Sequence, residues 1–421
     1  MKKQLPFLFL IFIFIIHSSA QTIDLHAKMN AGVDYNRLKR IDTLVNDYIK
    51  KGWVKGVVTI VVKDNELIQH KGYGVIDDGS NKPMPANALF RIASQTKAIV
   101  STGIMMLYEQ GRFYLDEPIA DFMPEFKNPK VLDKFNATDT SYTTVSAKRD
   151  ITFRDLLTHT SGLDYPGIGS RNMAAIYAKA NIPSGLGYFN QDLRERMRTL
   201  AALPLVHQPG EKWTYGLNTD LLGCLTEIMT GMNLEDYLRQ KLFTPLGMND
   251  TYFNLPQSKS ERLAAVYTED SLNHIIKWGK TGNIDAAYPL MTKRYFSGGA
   301  GLTSTAYDYA QFLQMMLNRG RYNGVQILSP RTIELMTSGQ LEFLFNGMDN
   351  FGLGFEITSE KSAAREPRSA GSFSWGGFFG TTYWADPKER MVCLIMTQQT
   401  PNSHGDIAKK FEQAVYQSLL K

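Results

Sequence analysis

Two β-rich stretches near opposite ends of the chain limit the folds open to it. The first, 56-GVVTIVVKDNELIQHKGYGVI-76, is two runs of β-forming residues joined at Asp64-Asn65, which predicts a hairpin. The second, 373-FSWGGFFGTTYWADPKERMVCLIMTQ-398, predicts another hairpin around Asp386-Pro387. Each has a helical pattern on its terminal side. Leu38, Ile41, Val45, Tyr48 and Ile49 recur at helical spacing and stop near Gly52, and Ile407, Phe411, Val415 and Leu419 mark a last amphipathic helix. Strands from both ends predict one antiparallel sheet assembled from the two termini, with helices packed on it.

Between about residues 125 and 295, helical patterns and Pro/Gly-rich loops take over, as in 153-FRDLLTH-159 and 219-TDLLGCLTEIMTG-231. The expected architecture is α+β. An antiparallel sheet flanked by N- and C-terminal helices, residues 33–125 and 296–421, receives an inserted, mainly helical domain, residues 126–295. A chain of 421 residues is long enough to give one large or two medium domains sizeable cores. Clefts between two such units are common places for active sites.

The N-terminal segment MKKQLPFLFLIFIFIIHSSA stands apart. It has two lysines, an apolar run from about Phe7 to Ile16, and small residues before Gln21. That pattern predicts a secretory signal peptide cut after Ala20, hence a periplasmic or secreted protein. An uncleaved anchor needs a longer apolar run, so no stable membrane anchor is expected after the cut. Residues 21–32 are polar and read as a loose leader. Cleavage removes Lys2 and Lys3, leaving the 46 basic residues of the whole chain two fewer against 41 acidic ones. A balance that close to neutral, without a basic stripe interleaved with aromatics, argues against nucleic acid as a partner. Cys224 and Cys393 both lie in apolar stretches and are expected as buried free thiols. The seven histidines are scattered, with no HExxH and no Gly-rich phosphate loop nearby, so neither a metal nor a cofactor is indicated.

The chemistry is concentrated in 91-RIASQTKAIV-100. From Ser94 to about Glu109 the pattern is apolar on nearly every side, which predicts a buried helix. Ser94 stands at its start, where serine is a good cap and backbone N–H groups are unpaired. Lys97 is one turn later on the same face. It either snorkels out or is desolvated, and a desolvated amine can take the serine proton. S-x-x-K alone also occurs on capped surface helices, so the pair needs further elements. One is 209-PGEKWTYGLNTDLLGCLTE-227, where Tyr215 precedes an apolar helix and can serve as general base or acid beside a lysine cation. Another is Trp375-Gly376-Gly377, a glycine pair in a strand that marks close approach of backbone or ligand. The N–H of Phe378 just beyond it can join that of Ser94 as an oxyanion donor.

In this order the motifs resemble the penicillin-recognising serine hydrolase superfamily: class C β-lactamases, D-Ala-D-Ala peptidases and family VIII carboxylesterases. The likeness runs from about residue 35 to 420 and includes 155-DLLTHTSGL-163, 298-GGAGLTSTAYDYAQFLQMMLN-318 and 374-SWGGFFGTTYWADP-387. It implies a sheet flanked by helices plus a helical domain, with the site between them. It also implies that Ser94 is the acylated nucleophile, Lys97 its activating partner and Tyr215 the tyrosine of the Y-x-N motif. Trp375-Gly376-Gly377 then replaces Lys-Thr-Gly. Two departures matter: Leu217 occupies the motif's asparagine position, with Asn218 one place on, and Trp375 occupies that of the carboxylate-binding lysine. The Y-G-L and W-G-G forms look most like the esterase branch, and the lipase elbow G-x-S-x-G is absent.

The expected function is an exported serine hydrolase, a carboxylesterase acting on small-molecule esters or amides through an acyl-enzyme on Ser94. Two alternatives remain: a β-lactamase or D-Ala-D-Ala-type peptidase using the same nucleophile, and a non-catalytic binding or regulatory descendant of the fold.

Overall fold

The structure is a computed structural model and describes residues 22–25, 29–281, 284–341 and 347–420. The expected signal segment, residues 1–20, lies outside the described residues. Strands β1 (Gly56–Lys63) and β2 (Glu66–Asp77) form the first expected hairpin. Asp64 and Asn65 turn it with φ of 55° and 64°, the left-handed pair that matches a tight two-residue turn to strand twist. A short β3 (Lys82–Pro83) follows. The C-terminal part supplies β4 (Asn350–Phe351), β5 (Glu356–Ile357), β6 (Phe373–Gly376), β7 (Thr382–Asp386) and β8 (Met391–Met396).

These strands make one antiparallel sheet in the order β4-β5-β6-β7-β8-β1-β2-β3. The two ends of the chain meet where β1 pairs with β8, Val58 opposite Met396 and Lys63 opposite Met391. Residues 373–398 are a three-stranded meander, not the single hairpin expected. Gly376, Gly377 and Gly380 end β6 early and open a turn before β7, with Gly380 at φ 85° and Gly377 N–H bonded to Thr381 O.

The helices that frame the sheet and the site are α1 (Arg40–Lys50), α2 (Thr96–Glu109), α3 (Asn218–Thr230), α4 (Ala306–Leu317) and α5 (Ile407–Tyr416). Strand alternation sends successive side chains to opposite faces. Val58, Ile60 and Val62 join Val392, Leu394 and Met396 in the main core with α2 and α4. Val57, Val61, Cys393 and Ile395 point the other way, under Ile41, Val45, Phe411 and Val415 of α1 and α5. The last helix stops at Tyr416, and Leu419 bridges back to Val33 instead of extending it. Cys224 and Cys393 are buried and free, on α3 and β8.

Residues 126–295 hold helices such as Arg171–Lys179, Leu193–Ala201 and α3. They also hold short hairpins that had not been expected there: Lys130–Phe135 with Tyr142–Ser146, Tyr267–Glu269 with Ile275–Lys277, and Lys280–Thr281 with Ile284–Asp285. Strands this short carry too few alternations to show as a period. Among the described residues no helix is long and apolar enough to cross a membrane.

Candidate active site

Ser94 lies on a 3₁₀ turn, Ala93–Gln95, that runs into α2. The strand before it, Phe90–Arg91, pairs with Thr303–Ser304. Arg91 is buried and donates to the carbonyls of Ala264 and Ala286 and to Gln398 Oε1, tying three parts of the chain to this one approach. Ala93 has φ of 42°, a left-handed conformation that costs a residue with a Cβ about 1–2 kcal/mol. The surrounding packing must hold that bend in place. Ser94 does not cap the helix as the sequence led one to expect. The helix starts without a side-chain cap, and Ser94 Oγ faces Lys97 Nζ at 3.5 Å instead.

Lys97 is only 2% exposed, so it is desolvated and does not snorkel. Its ammonium nitrogen donates to Gly299 O at 2.8 Å and to Tyr165 OH at 3.0 Å. It also stands 4.4 Å from the ring centre of Tyr215 and 5.2 Å from that of Tyr165, positions where ring quadrupoles favour a cation. Tyr215 comes from the loop before α3. Its ring packs against Tyr165, His159, Trp213 and Trp375, and its hydroxyl accepts from Trp375 Nε1 at 3.3 Å. The structure thus brings together Ser94, Lys97, Tyr215 and Trp375 from widely separated motifs.

The glycine pair explains how the sheet reaches the serine. A Cβ on Gly377 would lie 2.4 Å from Ile92 O and 2.2 Å from Thr381 Oγ1. Only glycine therefore lets the end of β6 touch the turn that carries Ser94. Gly376 is less confined, with Thr381 O the nearest atom at 3.6 Å from such a Cβ. Among the described residues the N–H groups of Ser94 and Phe378 have no hydrogen-bond acceptor. Both residues line a cleft of about 350 Å³ whose other walls include Tyr165, Ile168, Leu186 and Ala300. No charged side chain lines it among the described residues.

Sequence reasoning missed Tyr165. It sits in 164-DYPG-167, an aromatic residue ahead of a Pro-Gly turn, and only the path of that loop carries it to Lys97. Burial, then Asp220 and Tyr215, push its phenol well above the ordinary tyrosine value, so it stays protonated at neutral pH. Asn218, whose role the sequence left open, does not line the cleft. It is buried, lies 2.8 Å from His159 Nδ1 through its amide nitrogen, and accepts from Ser161 Oγ at 2.5 Å, joining the loop after Thr158 to the start of α3. Burial, then Lys97, hold His159 well below its ordinary imidazole value, so it is neutral.

A serine hydroxyl beside a desolvated amine and a phenol, with two unpaired N–H groups at the same apolar cleft, is equipped for acyl transfer. Among the described residues no group of three or more His, Cys, Asp or Glu is placed to hold a metal ion.

Known proteins resemble this chain over most of its length. Residues 41–417 match the family model described as Beta-lactamase. Protein Rv1367c of Mycobacterium tuberculosis is 33% identical over 381 residues, covering 86% of this chain and 90% of its own. Esterase EstB of Burkholderia gladioli is 28% identical over 399 residues, covering 90% and 94%. Among solved structures, EstCE1, described as a hydrolase with promiscuous acyltransferase activity, superposes with a TM-score of 0.78 at 24% identity, covering 90% of this chain and 99% of that one. That last likeness is one of fold, a helix-flanked antiparallel sheet.

Proposed function

The chain belongs to the β-lactamase family of penicillin-recognising serine hydrolases, and on that premise we propose that it is an exported carboxylesterase working through an acyl-enzyme on Ser94. Ser94 Oγ attacks the ester carbonyl carbon while its proton passes to the Lys97 and Tyr215 pair. The N–H groups of Ser94 and Phe378 hold the oxyanion that forms. The bond to the leaving alcohol then breaks, and the alkoxide takes the proton. Water repeats the sequence on the acyl-enzyme and releases the acid, returning the proton to Ser94 Oγ.

The observation that carries the ester reading is Trp375. Where a lysine would meet a substrate carboxylate stands an indole whose N–H is turned to Tyr215, and no charged side chain lines the cleft among the described residues. A neutral, apolar ester fits such walls; a carboxylate there would lose water and gain no counter-charge. The likeness to Esterase EstB supports the same choice.

The test uses protein from Gln21 onward, wild type and Ser94→Ala, with p-nitrophenyl acetate, p-nitrophenyl butyrate and a chromogenic cephalosporin side by side. Ester turnover is expected to fall about 10³-fold or more in Ser94→Ala, with slow cephalosporin turnover throughout. Efficient cephalosporin turnover would replace the esterase with a β-lactamase. Acidic esters outrunning neutral ones by a wide margin would sink the argument from Trp375.

A further inference from the structure

One wall of the cleft stands apart from the main core. Ile284, on the hairpin of Lys280–Thr281 with Ile284–Asp285, lines the cleft with Leu186, Ala300 and Ala93, the residue before Ser94. These four residues belong to a small apolar cluster separate from the core around α2 and α4. Ala286 N–H donates to Gly279 O at 3.0 Å and closes the base of the hairpin. Trp278 braces it: its Nε1 donates to Thr281 Oγ1 at 2.7 Å, and its ring centre lies 5.7 Å from that of Phe379. A wall outside the main core takes its position from its own links, so those links decide where Ile284 stands.

The link that reaches the serine's own strand is Arg91. Its buried guanidinium forks onto Ala286 O, through Nε at 2.8 Å and through Nη2. Nη1 donates to Ala264 O at 2.8 Å and to Gln398 Oε1 at 3.1 Å, and Gln398 Nε2 returns a bond to Arg91 O at 3.2 Å. One side chain, three residues before Ser94, thus clamps the base of the hairpin to the strand that carries the nucleophile. Burial pulls the guanidinium down to about 10 against the opposing pull of Tyr288 and Asp285, so it stays a cation at neutral pH. A planar fork holds these separate acceptors at once, which the single nitrogen of a lysine does not. Arg91 does not line the cleft and has no part in the attack by Ser94.

We propose that Ile284 sets the acyl-chain preference of the site and that Arg91 is the positioning residue that fixes Ile284 relative to Ser94. This rests on the acyl-enzyme reading of Ser94. The acyl group is the part of the ester that stays bonded to Ser94 Oγ after the alcohol leaves. It therefore meets the wall that includes Ala93, and that wall is apolar through Ile284, Leu186 and Ala300. Each methylene buried there favours the longer ester by about fourfold. The gain ends where the chain meets the branched Ile284 side chain, because Arg91 keeps the hairpin from retreating. Beyond that length a further methylene must push the wall away from Ala286's tie to Arg91, and the site discriminates against it.

The experiment is the ratio of kcat/KM for p-nitrophenyl octanoate to that for p-nitrophenyl butyrate, a pair that keeps the leaving group constant. It compares wild type with Ile284→Ala, Arg91→Gln, Arg91→Lys and the Arg91→Gln/Ile284→Ala double variant, with Ser94→Ala as the blank. Ile284→Ala is expected to raise the ratio about tenfold by making room. Arg91→Gln should raise it about fivefold by freeing the hairpin, and Arg91→Lys, which keeps one bond, about threefold. The double variant should lie within about twofold of Ile284→Ala, because both changes act through one wall. A merely structural Arg91 would lower both esters by the same factor, so a ratio within about 1.5-fold of wild type in folded Arg91→Gln overturns its positioning role. An unmoved ratio in Ile284→Ala overturns the whole proposal. Should Arg91→Gln fail to fold, Arg91→Lys takes the same test; if neither folds, Arg91 is a strut of the fold and its positioning role falls. Ester turnover that survives in Ser94→Ala overturns the acyl-enzyme reading instead.

Discussion

On the face of the sheet beneath α1 and α5, Val57, Val61, Trp384, Cys393 and Ile395 interlock with Ile41, Val45 and Phe411, all fully buried. At the end of β6, Gly377 meets Ile92 O across a gap that a single methyl would close. The first region is held by many interchangeable dispersion contacts and the second by one clearance. Cores of the first kind accept hydrophobic exchange if volume is kept. A contact of the second kind has no such latitude, because the atom in the way is backbone. The lesson is that stability and catalytic geometry in this chain depend on different parts of the same sheet, and substitutions should separate them.

The strongest separation is expected at Trp384, which packs on Phe411 and lies under Arg368. Trp384→Ala should cost about 3–5 kcal/mol in urea unfolding, with kcat/KM per folded molecule within about twofold of wild type. A matching loss of turnover in the folded variant would show that the two regions are coupled. Gly377→Ala should do the reverse. The forced shift of β6 against the Ser94 turn should lower ester turnover about 100-fold, whereas Gly376→Ala, with room beside it, should stay within about fivefold. Equal effects at the two glycines would remove the clearance argument.

The smallest effect is one of pH. In the folded chain burial and Lys97 keep His159 neutral and well below its ordinary value. Above about pH 6.5 the unfolded chain leaves it neutral too, and its contribution is fully present. As pH falls below that, the unfolded chain takes the proton first and the folded state loses stability. The His159 φ of 58° suits asparagine. The stability margin of wild type over His159→Asn should therefore narrow by about 1 kcal/mol between pH 7.5 and 5.5. A constant margin would mean that His159 is not buried as a neutral imidazole.

Ser94 and Lys97 are legible in the sequence because their spacing is one helical turn and the residues after them are apolar all round. Tyr215 is legible because it precedes a strong helical pattern. Tyr165 is not, since it meets Lys97 from 68 positions away through an irregular loop that no period describes. Asn218 reads as a displaced motif residue, and the structure makes it a tie between two loops. The hairpin expected at residues 373–398 becomes a meander, because three glycines break it at a point where composition alone leaves the strand count open.

By itself the sequence determined what depends on near neighbours. That includes the turn at Asp64-Asn65, the two-faced strands that join the chain's ends, and the buried helix with a serine and a lysine on one side. Periods of two and 3.6 residues are set by local backbone geometry and survive in the order of residues. The tertiary structure alone decided which groups share the lysine. Tyr165 and Gly299 reach it from loops distant in sequence, and fractions of an ångström at Gly299 and Gly377 depend on how whole elements pack. Such distances are sums over the entire core, and no local pattern records them.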